Sequence, residues 1–237
     1  DSLTVPVTLR APRITERALA RFRASILLLP TAMSAKDWTQ VPHAASLRAL
    51  HERKARKDGD VLTISVGANA GTLLVLAYTS AGASTFKSLQ LAQKCARAAL
   101  EAEPERVLIW HLLQDAASQA QAVLACIAAL QAAAFRLPSF KSKPPRSVRL
   151  RGIEVAHRGT LAGLEQVLAT SCGNNLARWL TALPPNELDA RAYRRHLQAF
   201  AARHGLEFQF LSESALRRLG AGAFLAVAQG NPRRDAG

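Results

Sequence analysis

Apolar positions fall into two textures along the chain. Through about residue 156, short runs rich in Leu, Ile and Val alternate with longer stretches in which apolar residues recur every three or four positions. The runs ASILLLP (24–30), VLTISVG (61–67), TLLVLAYT (72–79), RVLIWHLL (106–113) and SVRLRGIEVA (147–156) read as strands by length and β-branched content. Between them, Ser84 or Thr85 caps a helix whose stripe includes Phe86, Leu89 and Ala96. Asp115 caps an Ala-rich helix with Val123, Ile127 and Leu130 on one face. Strands alternating with helices make an α/β layer fold. The stretches 61–67 and 72–79 lie too close for a helical crossover, so the sheet is expected to be mixed.

After the basic, Pro-containing segment at 138–146 and the strand to Ala156 the texture changes, and a domain boundary is expected near 156–159. From Thr160 to Ala182 a long helix carries Leu161, Leu164, Leu168, Cys172, Leu176, Trp179 and Leu183 in one stripe, which stops at Pro184 and Pro185. Asp189 is a good N-cap for the next helix. Leu188 and Tyr193 are spaced for a hydrophobic staple, and Tyr193, Leu197, Phe200 and Ala201 form the expected buried face. Gly205 stops that helix. LEFQF (206–210) alternates as a half-buried strand, Ser212 caps a short helix through Leu219, and GAFLAVAQG (222–230) reads as a further strand.

With 237 residues and 49% hydrophobic content the chain is long enough for one large core or two modest ones. No apolar run reaches the ~20 residues of a membrane span, which points to a soluble, cytoplasmic protein. The three cysteines, Cys95, Cys126 and Cys172, are far apart in helical patterns and read as core residues. Net charge is +14, and residues 1–150 carry most of the excess, with 20 Lys and Arg against 10 Asp and Glu. The dense clusters are HERKARKDGD (51–60) and FKSKPPRSVRLR (140–151). Neither interleaves aromatic residues, so they read as a solvated basic face, with a nucleic-acid surface as the alternative.

Spacing alone supplies no catalytic constellation. His111 falls in a strand pattern, and His196 and His204 are eight apart on a helix without a carboxylate at ligand spacing. Glu101, Glu103 and Glu105 surround Pro104 at a helix-to-strand turn as solvated charge. The glycines of GANAG (67–71) and GAGAFLAVAQG (220–230) match no phosphate-cradling loop.

One long stretch is more specific. NNLARWLTALPPNELDARAYRRHLQAFAARHGLEFQFLSESALRRLGAGAFLAVAQGN (174–231) resembles the beginning of the catalytic domain of leucyl aminopeptidases, the M17 cytosol aminopeptidase family, in order and spacing. FRLPSFKSKPPRSVRLRGIEV (135–155) is similar to the passage that closes the family's N-terminal domain. One departure is Ala182-Leu183, where the family commonly has Asn-Thr before the two prolines. The resemblance implies a macro-like, mixed-sheet N-terminal α/β domain at 1–156, a domain that binds DNA in some members. At 157–237 it implies the helical lead-in and first strands of the catalytic domain. It further implies a metallopeptidase that removes N-terminal residues from peptides, working with two divalent ions (Zn²⁺, Mn²⁺ or Mg²⁺) in a cytoplasmic homohexamer. The family's metal-binding segments, which read like VGKG and NTDAEGR, do not occur in 1–237. No residue inherits a catalytic or metal role, those roles are expected downstream of Gly237, and this chain alone is expected to be inactive. The competing reading is a non-catalytic basic module that binds nucleic acid or acts as a scaffold.

Overall fold

The computed structural model describes residues 3–39, 41–67, 71–143 and 149–230, and the chain divides into two compact units, Asp1–Ala177 and Arg178–Gly237. In the first unit, β1 (Val7–Arg10), β2 (Ala24–Pro30), β3 (Val61–Val66), β4 (Thr72–Thr79), β5 (Arg106–His111) and β6 (Gly152–Ala156) form one sheet in the order β1-β6-β5-β2-β4-β3. Every neighbouring pair is parallel except the hairpin β3–β4, in which Val66 pairs with Thr72. The expected mixed sheet is therefore present. Gly71 is obligatory at that hairpin, because a Cβ there would overlap the Val66 carbonyl oxygen.

β2 lies at the centre and is buried along almost its whole length, which is why its sequence is a continuous apolar run with no alternation. On one face of the sheet α4 (Thr85–Glu101) and α5 (Ala116–Ala134) cover Ile26, Leu28, Val75, Ile109, Ile153 and Val155. On the other, α1 (Glu16–Leu19), α2 (Ala35–Trp38) and α3 (Ala44–Glu52) contribute Leu19, Trp38 and Leu47 over Leu27, Leu76 and Leu108. Each fully buried Leu or Ile contributes ~1.5–3 kcal/mol, so the two-sided core dominates stability. α5 is apolar and long enough to cross a membrane by length and composition. Its Val123, Ile127 and Leu130 are fully buried against the sheet, which accounts for that composition.

Serine and aspartate caps fall where expected: Ser84 Oγ accepts from the Lys87 amide and Asp115 Oδ2 from Ser118. The stripe of α4 differs. Its buried face is Ser88, Leu91, Ala92, Cys95, Ala96 and Ala99, while Phe86 and Leu89 are 68% and 45% exposed. Small residues let α4 approach the sheet and α5 closely, and the larger side chains at its start point outward.

α6 (Leu164–Thr181) begins on the first unit, where Leu164, Val167 and Leu168 pack on the α5 side of the core. The second unit carries the end of α6, then α7 (Ala190–His204), α8 (Glu213–Arg218) and α9 (Gly222–Ala228). Asp189 Oδ1 accepts from the Ala192 amide at 2.7 Å, and Gly205 adopts φ 63° at the C-cap. Tyr193, expected on the buried face with Leu197, Phe200 and Ala201, is instead 45% exposed, and the buried residues of α7 are Ala192 and Ala201. Two expected strands are not strands. LEFQF is irregular, held where the Arg194 guanidinium lies 4.2 Å over the Phe210 ring, and GAFLAVA is α9. A strand needs a neighbour to take its backbone hydrogen bonds, and the described part of this unit offers none; Ala and Leu then favour a helix.

Candidate functional site

The carboxyl ends of the parallel strands meet along one edge of the sheet, the edge at which open α/β sheets bind ligands. β5 ends at His111, and His157 follows the last residue of β6. Ile109 pairs with Val155, so two residues on His111 and His157 stand side by side across the strand pair. Their rings are 5.8 Å apart between centroids and inclined at 52°. Both nitrogens of His111 and Nδ1 of His157 are buried without a hydrogen-bond partner among the described residues. Burial, and next the neighbouring His157, pushes the His111 pKa down to about 4. His111 is therefore a neutral imidazole at pH 7. Sequence reasoning weighed His111 alone and missed His157. The signal is in the sequence: His111 lies in one strand run and His157 directly follows another, and parallel neighbours place their ends together.

On the opposite face of the sheet, His51 Nδ1 lies 3.2 Å from the Tyr78 hydroxyl, Trp38 packs edge-on to His51, and the Arg56 guanidinium sits 5.7 Å from the Tyr78 ring centre. Burial, then Arg56, lowers the His51 pKa, and burial raises that of Tyr78. Arg56 also donates to the Leu50 and His51 carbonyl oxygens at the end of α3. The cluster secures the end of α3 and spends part of the basic run 51–60 on it; Lys87 pairs with Asp58 at 3.8 Å nearby. A cavity of about 530 Å³ opens at the amino ends of β1 and β6, with Arg136, Arg149 and Arg151 among its walls beside Thr4 and Gln131. In the other basic run, 144–148 lie outside the described residues.

The remaining candidates are structural. His196 packs edge-on against Trp179 at 5.0 Å, and the exposed His204 rests 4.3 Å from Phe200. Glu101 ends α4, and Glu103 turns the chain at φ 46°. Cys95 and Cys126 are buried on α4 and α5; contact with Cys95 and burial hold the Cys126 thiol well above its usual pKa, so it is unreactive. Gly67 and Gly220 adopt φ of 91° and 70°; residues 68–70 of the first glycine run lie outside the described residues. No group of three His, Cys, Asp or Glu side chains that could hold a metal ion is found among the described residues. They do not fit a two-metal centre.

No family model matches the chain. A probable cytosol aminopeptidase of Synechococcus sp. (strain CC9605) is 33% identical over 183 residues, 74% of this chain and 36% of that protein. The chain is a relative of the cytosol aminopeptidases, the M17 family. It spans little more than a third of the length of that relative. Among solved structures, a tomato leucine aminopeptidase variant superposes with a TM-score of 0.72 at 17% identity, over 96% of this chain and 48% of its own. The bottromycin maturation enzyme BotP, in complex with Mn, gives a TM-score of 0.65 at 18% identity, over 89% and 43% of the two chains. At these identities the structural likeness concerns the fold, which is the mixed α/β fold of leucine aminopeptidases in their matching part.

Proposed function

We propose that this chain is the N-terminal part of a metal-dependent leucyl aminopeptidase that removes N-terminal residues from peptides in the cytoplasm as a homohexamer. The observation that supports this best is the 33% identity across 183 residues to a probable cytosol aminopeptidase. In this reading 1–156 is the N-terminal α/β domain and 157–237 begins the catalytic domain. Two divalent ions (Zn²⁺, Mn²⁺ or Mg²⁺) supply the Lewis acidity and the activated water of such hydrolysis. No group of three or more His, Cys, Asp or Glu side chains that could hold these ions is found among the described residues, and no step of the reaction is assigned to this chain. The test compares the 237-residue chain with a version extended along its reading frame, using a chromogenic leucyl substrate with Zn²⁺, Mn²⁺ or Mg²⁺, with and without chelator. The extended protein should release leucine in a metal-dependent way and the 237-residue chain should not. Chelator-sensitive release by the 237-residue chain would refute the assignment of the chemistry to downstream residues.

A second reading draws on the charge of +14 and on the arginines around the cavity at β1 and β6. In it the chain is a non-catalytic basic module that binds nucleic acid. A stop codon directly after Gly237, together with tight salt-dependent binding of duplex DNA, would favour it over the peptidase reading.

A further inference from the structure

His111 and His157 are used by neither reading, yet they are the two groups that the sheet brings together at its carboxyl edge. We propose that this cross-strand histidine pair is a two-nitrogen clamp for a zinc-like divalent transition-metal ion, with solvent completing its coordination. The geometry suits it. Imidazole nitrogens bind Zn²⁺ at ~2.0–2.1 Å, so two rings sharing one ion have centroids roughly 5 to 6.5 Å apart, depending on the angle between them. The observed separation is 5.8 Å. Neutral imidazole is the donor that Zn²⁺, Ni²⁺ and Cu²⁺ favour over Mg²⁺ or Ca²⁺.

The polar inventory points the same way. Three of the four ring nitrogens are buried without a hydrogen-bond partner among the described residues, an arrangement that costs free energy and calls for a partner. Both residues are partly exposed at the strand ends while three of their nitrogens are buried, so an ion enters with a rotation of the rings. The parallel register is fixed over four consecutive positions and ends at Ile109 and Val155, two residues before the pair; beyond it the His157 amide donates to the Arg10 carbonyl oxygen at 3.1 Å, which ties the backbone of His157 to β1. Two protein ligands, where structural zinc sites have four, imply an exchangeable site that binds more weakly than those. This inference does not rest on the aminopeptidase reading.

The experiment uses the 237-residue chain, stripped with chelator and titrated with zinc chloride. Binding is followed by calorimetry and by long-range ¹H–¹⁵N correlation of the histidine ring nitrogens. One equivalent should bind, the ring resonances of His111 and His157 should shift, and those of His43, His51 and His196 should not. His111→Asn and His157→Asn should each weaken binding at least tenfold, while His204→Asn should leave it unchanged. The ring resonances of wild type carry the test if a variant fails to fold. Absence of binding at millimolar zinc, shifts confined to other histidines, or unchanged affinity in both folded variants would overturn the proposal.

Discussion

Burial of His111 ties stability to pH, and the sign follows from the direction of its shift. In the unfolded chain the imidazole titrates near its ordinary 6.5; in the fold its pKa is lowered to about 4 by burial and by His157. Between these values the unfolded state binds a proton that the folded state does not. Stability is therefore independent of His111 above about pH 7, falls as pH drops from 6.5 towards 4, and levels off below that. About 2.5 units at 1.36 kcal/mol each would give ~3.4 kcal/mol, but the side chain is only partly buried and solvent screens the charge, so ~1–2 kcal/mol is expected. Urea unfolding with chelator present, at steps from pH 7.5 to 4.5, measures it. A Trp179→Phe background leaves Trp38 and Trp110, both within the first unit, as fluorescent probes. His111→Gln should unfold with a shallower pH dependence, the difference from the parent growing by ~1–2 kcal/mol between pH 7 and 4.5. Parallel pH profiles for parent and variant would refute the argument.

Two further outcomes test the framework. Glu154 on β6 binds Arg10 of β1 at 3.0 Å and Arg106 of β5 through its other oxygen, pinning three strands; because Arg106 is well exposed, Glu154→Gln should cost only ~1–2 kcal/mol, read as a lower urea midpoint at constant slope, and an unchanged midpoint would mean that the clamp is dispensable. Removing the α7 cap with Asp189→Ala should cost ~1 kcal/mol and speed hydrogen exchange of α7 amides about fivefold; unchanged protection would show that the helix does not depend on this cap.

How far the sequence could be read depended on whether an element's cause was local. β2, β4 and β5 announce themselves because central strands buried on both faces must be apolar throughout, and α7 because Asp189 and Gly205 mark its two ends. β1 gives no such signal: it has four residues at the sheet edge, half of them exposed, and becomes a strand only because β6, at Gly152–Ala156, accepts it from a distant part of the sequence. Asn175 shows the same limit. It lies inside the apolar stripe of α6 and is 1% exposed, because its amide donates to the Leu3 and Gln131 carbonyl oxygens, while Gln131 in turn exchanges two hydrogen bonds with Val5. The N-terminal segment ahead of β1 is thus held by side chains more than a hundred residues away, a cause that no local window contains. The histidine pair belongs to this class. Each half is visible as a residue at the end of a strand run, but only the strand order β6-β5 makes them neighbours, and that order is fixed by where α5 returns the chain. The candidate chemistry of this molecule is topological, so it became legible only when the sheet was assembled.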